Sequence, residues 1–467
     1  MKKFISVLLL TFFVGYVTGQ NIIGQWNGVL KIPGKSLRVI FHIQETDGNY
    51  TATMDSPDQK TFGIPVTETS FEDNTLKINI QNKIRYDGTF ENDSIKGTFK
   101  QSGLSFPLNL CKEEILIEKP QRPQEPQKPY PYYEEEVWFE NPTASGVTLA
   151  GTLTLPQQEG IFPAVILVSG SGAQNRDEEF SGHKPFLVIS DYLTRNGIAV
   201  LRYDDRGTAS STGIYDTCST EDFSTDAEAA FKYLQNRKEI NPKQIGFIGH
   251  SEGGIIAPMV AARNQEVASI ILLSAPGIRG DSLLFLQTKL LLQTTDGLND
   301  KKMEEILNVK RRQDSIIFHT EDVEQMKRDL TVFFEEIVDN QALSSSTQEE
   351  IDNSIHQTVQ FITNKFNRFF VKYNPAPVLA QVHCPVLALN GENDIQVPAD
   401  ENLNAIQKIL LNAGNTDITI KKLPKLNHLF QTSQIGATSE YAEIEETFSQ
   451  EVLEIMLEWL KEKNEMK

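Results

Sequence analysis

Cysteine is scarce in this chain: Cys111, Cys218 and Cys384 are the only three in 467 residues. An oxidising compartment would permit one disulfide, yet three widely spaced thiols make no disulfide framework. They show no metal-ligand spacing either, and incidental buried thiols are the expectation. Positive charge is in deficit, with 44 Lys and Arg against 63 Asp and Glu and a net charge of −19. A surface of that sign repels nucleic acid and anionic membrane and favours solubility. Long apolar runs are missing too. The greasy stretch at residues 4–17 falls short of the roughly 20 residues a spanning helix needs. It follows Met1-Lys2-Lys3 and leads into Thr18-Gly19-Gln20, which together describe a secretory signal peptide over residues 1–19. No cysteine near the cut indicates a lipid anchor. Export to a bacterial periplasm, with no membrane span left after cleavage, is the expectation.

What is present changes style along the chain. Residues 20–118 alternate apolar and polar in short runs (36–43, 49–54, 76–80, 84–90, 94–100 and 106–110), separated by Asp47-Gly48, Glu72-Asp73-Asn74 and Glu91-Asn92-Asp93. That pattern predicts a small antiparallel β domain, barrel or sandwich. It carries no catalytic set; binding of a sugar or lipid stands beside a passive packing or dimerising role. Residues 119–133, K-P-Q-R-P-Q-E-P-Q-K-P-Y-P-Y-Y, disallow helix and sheet and favour polyproline conformation, the composition of a semi-rigid linker.

From residue 134 to 467 strands alternate with helices, the signature of a doubly wound, mostly parallel sheet. An antiparallel pair (137–140 and 147–155) opens it, and helices are predicted at 185–195 and 221–236, the latter with Thr220 as N-cap. The rhythm stops at about residue 281. Up to 373 the chain reads as helices only, an inserted cap over the sheet's carboxyl edge, where the sites of such sheets lie. Phe361, Phe366, Phe369 and Phe370 there are candidates for an acyl pocket, although a helix-spaced aromatic stripe is more often plain core.

The chemistry centres on Gln244-Ile245-Gly246-Phe247-Ile248-Gly249-His250-Ser251-Glu252-Gly253-Gly254. A short apolar strand, a G-x-S-x-G turn and a helix give the context of a nucleophile elbow. The tight turn strains the serine backbone and exposes its hydroxyl, and side chains at the flanking glycines would collide with strand and helix. A serine hydroxyl needs a base, normally a histidine held by a carboxylate. Of the histidines beyond the elbow, His319 and His356 fall in the cap and His383 precedes a strand. His428 alone follows the penultimate strand, where the order Ser, acid, His puts the base. The acid is Asp394 in Gly391-Glu392-Asn393-Asp394, with Glu392 as rival. Two backbone N–H groups should stabilise the oxyanion: that of Glu252, and that of Ser171 (alternatively Gly172) in the loop after the strand at 164–168.

Residues from about 147 onward resemble an α/β-hydrolase of the secreted carboxylesterase type, related to the serine aminopeptidase-like hydrolases. The matching segments are S-G-S-G-A-Q-N-R-D at 169–177, H-K-P-F at 183–186, R-Y-D-D-R-G at 202–207, G-H-S-E-G-G at 249–254, G-E-N-D at 391–394 and L-N-H-L-F-Q at 426–431. The resemblance implies Ser251 as nucleophile, Asp394 as acid and His428 as base. The expected reaction is hydrolysis of carboxylic esters, with short to medium acyl chains suggested by the acidic surface and compact cap, and it needs no metal or organic cofactor. One departure is Ser169-Gly170 where such enzymes commonly carry His-Gly. Arg206 and its aspartate neighbours read as a structural turn, and His183 is left without assigned chemistry. A peptidase or aminopeptidase and an acyl thioesterase share the triad. An envelope ligand-binding protein on a hydrolase scaffold is the non-enzyme alternative. Activity is expected to fall as His428 protonates; a rate flat through about pH 5 to 8 would count against a histidine base.

Overall fold

The computed structural model describes residues 22–32, 35–80, 84–101, 104–115, 120–295, 297–340 and 347–465. The expected signal peptide at residues 1–19 lies outside the described residues. The chain divides into two compact units, Met1–Lys119 and Pro120–Lys467.

In the first unit nine antiparallel strands form one sheet: β1 (Gly24–Ile32), β2 (Lys35–Thr46), β3 (Asn49–Ser56), β4 (Thr61–Pro65), β5 (Glu68–Glu72), β6 (Thr75–Ile80), β7 (Ile84–Glu91), β8 (Ser94–Gln101) and β9 (Leu104–Cys111). Their spatial order is β4-β3-β2-β1-β9-β8-β7-β6-β5. Val66 N–H donates to Ala52 O on β3 and Thr67 N–H to Asn79 O on β6, prolonging the β4–β3 and β5–β6 pairings. The sheet wraps one core that holds Trp26, Phe41, Leu76, Ile78, Tyr86 and Leu108. Trp26 is fully buried and its indole N–H donates to Ile22 O at 2.6 Å, as a buried indole requires. Strands β4 and β5 were not legible in the apolar pattern, since their residues are mostly exposed or half-buried.

The second unit is an eight-stranded sheet in the order β10-β11-β13-β12-β14-β15-β16-β17. Strands β10 (Tyr133–Glu140), β11 (Thr148–Leu155), β12 (Phe162–Val168) and β13 (Ala199–Tyr203) precede β14 (Ile240–His250), β15 (Ser269–Leu273), β16 (Val386–Gly391) and β17 (Ile418–Leu423). Strands β10, β11 and β13 pair antiparallel; from β13 through β12 to β17 every pairing is parallel. Central strands are buried on both faces, which explains their unbroken apolar runs. Ala164, Ile166 and Val168 of β12 enter one core, while Val165 and Leu167 enter the other.

Helices α1 (Pro185–Arg195), α2 (Thr220–Gln235) and α3 (Gly253–Arg263) alternate with these strands. Between β15 and β16 a helical insertion supplies α4 (Gly280–Gln293), α5 (Asp300–His319), α6 (Val323–Asn340), α7 (Gln348–Ile362) and α8 (Lys365–Lys372). This helical insertion has a core of its own around Ile317, Leu330, Phe333 and Val359. After it come α9 (Ala376–Leu379), α10 (Ala399–Asn412) and α11 (Gln450–Lys463). Helices α2, α3 and α10 cover one face of the sheet, α1 and α11 the other.

Two expectations are corrected. Residues 120–133, read as part of a semi-rigid linker at 119–133, belong to the second unit. Arg122 donates to Ile444 O at 2.7 Å, Ala442 O at 2.9 Å and Gly182 O at 3.1 Å. The Gln124 side chain donates to Phe448 O and accepts from Thr447 N and Phe448 N. Side-chain amides and a guanidinium satisfy loop backbone that the prolines themselves cannot. The N-cap of α2 is Ser219 rather than Thr220: Ser219 N–H and Oγ donate to Asp222 Oδ2 at 2.8 and 2.9 Å. The three cysteines are free thiols.

The turn after β13 is structural, as expected. Arg206 and Asp226, both buried, form a two-pronged pair at 2.6 and 2.8 Å. Arg206→Met should destabilise the protein by about 3 to 5 kcal/mol, because it leaves the Asp226 charge buried alone. A urea midpoint close to that of the native chain would refute this, and Arg206→Met/Asp226→Leu should recover part of the loss.

Candidate active site

Parallel wiring decides where the site lies. From β12 the chain runs through α1 to β13 on one side, then through α2 to β14 on the other. The carboxyl ends of β12 and β14 therefore flank a crevice at the switch point of the sheet. The loop at residues 169–184 leaves β12 there, and Ser251 follows the last residue of β14.

Ser251 sits in the left-handed region at φ 49°, a conformation that costs a non-glycine residue of order 1–3 kcal/mol unless its surroundings hold it. Its N–H donates to Leu273 O at 2.9 Å, and its carbonyl accepts from Gly254 N at 2.9 Å. The turn tolerates no side chains at its flanks. A Cβ on Gly249 would lie 2.1 Å from Gly253 O, and one on Gly253 would lie 2.0 Å from Val168 O.

The acid and base arrive from β16 and β17. Asp394 is buried and accepts at Oδ1 from the N–H groups of Gln396 (2.9 Å) and Val397 (2.8 Å). Its Oδ2 meets His428 Nδ1 at 2.9 Å. The rival Glu392 is exposed. His428 is carried on a loop braced by Asn427, whose Oδ1 accepts from Leu429 N and Gln431 N. Gly391 lets that loop approach, since a Cβ there would lie 2.1 Å from Leu426 O. The structure thus brings Ser251, Asp394 and His428 to one end of the sheet, with Ser251 and His428 lining the same cavity.

In the loop after β12, Gly170 N–H donates to Glu178 Oε1 at 2.6 Å and Gly172 N–H to the Tyr215 hydroxyl at 3.0 Å. Gly172 is therefore committed elsewhere, whereas the Ser171 N–H has no protein acceptor among the described residues. Ser169, which stands where a histidine is common, donates from Oγ to Asp205 Oδ1 at 3.0 Å. Glu252 is buried, and burial raises its carboxyl to about 7. Its Oε1 has no hydrogen-bond partner among the described residues.

Two residues that sequence reasoning left without a role join this set. His250 Nδ1 meets Glu178 Oε1 at 2.8 Å and His250 Nε2 meets the carbonyl oxygen of His428 at 3.0 Å. Nothing in the spacing of Glu178 announced it; the only signal was an acidic run beside the oxyanion loop. His183, by contrast, is a buried structural residue bonded to Thr447 Oγ1 and Tyr441 O. The cavity above Ser251 has a volume of about 290 Å³. Phe366 and Phe370 of α8 line it with Leu283 and Leu284 of α4, while Phe369 packs on Ile255 and Met259, and Phe361 is exposed. Half of the aromatic stripe is wall and the rest is not.

A mostly parallel sheet with a serine elbow after β14, a carboxylate after β16 and a histidine after β17 defines an α/β-hydrolase. The chain belongs to the serine aminopeptidase S33 family, whose model matches residues 186–432. Esterase EstD of Thermotoga maritima is 25% identical over 316 residues, covering 66% of this chain and 64% of that protein. The chain thus spans just under two thirds of that relative's length. Among solved structures, the α/β hydrolase GrgF of a Penicillium species is 16% identical, covering 71% of this chain and 99% of that one, with a TM-score of 0.43. An esterase of Pyrococcus furiosus is 15% identical, covering 71% and 91%, with a TM-score of 0.42.

The buried Glu252 makes a stability prediction. Its carboxyl ionises near 4.5 in the unfolded chain and about 7 in the fold. Its favourable contribution is therefore complete below 4.5 and lost as the pH rises through about 7. Glu252→Gln, which cannot ionise, should gain in melting temperature relative to the native chain across that window; a gap independent of pH would refute this.

Proposed function

We propose that this protein is a serine carboxylesterase, exported under the direction of residues 1–19, that cleaves uncharged esters of short to medium acyl chain. The carrying observation is the 2.9 Å contact of His428 Nδ1 with the buried Asp394, in a cavity that also exposes Ser251. In this reading His428 removes the Ser251 proton as Oγ attacks the acyl carbon, and Asp394 orients the ring and stabilises the imidazolium. The oxyanion leans on the N–H groups of Ser171 and Glu252, each worth about 100- to 1,000-fold in rate. His428 then protonates the leaving alcohol, and water attacks the acyl-enzyme with the same histidine as base.

The cavity lining supports esters over the family's peptide substrates and over acyl-CoA. Among the described residues no lysine or arginine lines it, which leaves the phosphates of a coenzyme A thioester without a counter-ion there. Glu178 is the only lining carboxylate among the described residues, and it is already bonded to His250 and Gly170, so a peptide's free amine finds no unengaged acid there. Leu283, Leu284, Phe366 and Phe370 offer an apolar wall to the acyl chain, and Gln287 and Gln396 offer neutral polar contacts to the alcohol side.

Hydrolysis of p-nitrophenyl esters from acetate to laurate, beside amino-acyl amides and acyl-CoA, tests the reading. Esters should be cleaved fastest with a peak at short to medium chains. Ser251→Ala should lose activity by several orders of magnitude, on the order of a millionfold for the nucleophile of a serine protease. Faster cleavage of the amides, or an unaffected serine variant, would overturn the proposal.

A further inference from the structure

The proposed mechanism makes no use of Glu178 and His250, yet both are buried, 3% and 7% exposed, within the site. His250 reaches two acceptors at once. The His428 carbonyl can only accept, so Nε2 carries a proton. At Nδ1 the partner is the same Glu178 Oε1 that receives the Gly170 N–H. A ring that donates from both nitrogens is an imidazolium, and Glu178 is its counter-ion.

The surroundings leave no other candidate close by. The small cavity that His250 and Glu178 line together is otherwise walled by Pro185, Phe186 and Ile189 of α1, Leu273 of β15, and Leu429 and Phe448, all apolar. The His428 ring lies with its centroid 4.8 Å away, and the Asp394 carboxylate acts from behind it. Burial disfavours the His250 charge, but Glu178, helped by the His428 carbonyl and Asp394, more than offsets this and raises the ring above its ordinary value.

We infer that Glu178 and His250 form a buried ion pair whose role is positioning: it ties the loop that presents the Ser171 N–H to the loop that carries His428. This rests on the esterase reading, because it assigns work to the two loops that reading uses. Glu178 holds the Gly170 N–H and so fixes the peptide next to Ser171, while His250 Nε2 holds the main chain of the base. The tie exists only with both ring nitrogens protonated. As the pH rises through the raised value of His250 the ring keeps one N–H, and one of its two bonds opens. The rate should therefore fall on the alkaline side.

The test compares Glu178→Gln, His250→Asn and the double variant in ester hydrolysis, with histidine nitrogen NMR on the native chain. Glu178→Gln removes the counter-charge at constant shape. It should lower kcat by about 100-fold, the scale of a small misplacement of reacting groups, with KM near that of the native chain and the alkaline fall abolished. The double variant should lose no more than either single one, as residues acting as a unit do. In the native chain at neutral pH, one ring absent from the His250→Asn spectrum should carry protons on both nitrogens. A singly protonated His250, or a Glu178→Gln variant with native kcat and alkaline limb, overturns the inference. Failure of the native chain to hydrolyse any ester or to react with a fluorophosphonate at Ser251 would instead sink the esterase reading, and the NMR result would still decide the ion pair.

Discussion

The backbone of Ser251 at φ 49° is the constraint on which the site depends. No serine holds that conformation by preference. It persists because the peptide after β14 is bound to Leu273 O on the adjacent parallel strand and because α3 begins at once beyond it. Val168 O, at the end of β12, lies so near Gly253 that no Cβ fits. The strain is therefore a property of three strand ends and a helix held in a rigid parallel sheet, not of the turn alone. The placement of the other groups follows from the same sheet. Asp394 and His428 hang from β16 and β17, in parallel register with β15, so they emerge on the edge where Ser251 does.

Much of this was legible in the sequence because it rests on local rules. A short apolar strand running into Gly249-His250-Ser251-Glu252-Gly253 admits few conformations, and the parallel strands carry unbroken apolar runs because both faces are buried. Asp394 and His428 were legible through their order after the serine. Other features depend on contacts between residues far apart in the chain. Glu178 shows no periodicity, and its meaning comes from His250, which comes 72 residues later. The proline-rich stretch announced its conformation but not its binding to residues 442–448, which Arg122 and Gln124 supply. Strands β4 and β5 escaped detection because they bury too little to impose alternation. The aromatic stripe is split, with Phe361 on α7 and Phe366, Phe369 and Phe370 on α8, and which of these rings meets the cavity is decided by the packing of α8 against α4 and α3.

The replacement of the common histidine by Ser169 alters how the oxyanion loop is held, and the structure shows the substitute. Beneath the loop Asp205 accepts from Ser169 Oγ and from Gln174 N, so one carboxyl spans both ends of the turn. Burial raises Asp205 well above the ordinary carboxylate range, with Glu252 and Asp226 adding to the effect. That burial disfavours a charge on Asp205 beneath the loop. On the other side Glu178 holds Gly170 N–H and, paired with the His250 imidazolium, adds no net charge either. The loop is thus held from two sides by buried carboxyl groups, Asp205 and Glu178. For the proposed reaction, in which an oxyanion would rest on the N–H groups of Ser171 and Glu252, acids oppose that charge least when burial disfavours their ionisation or a neighbouring cation offsets it.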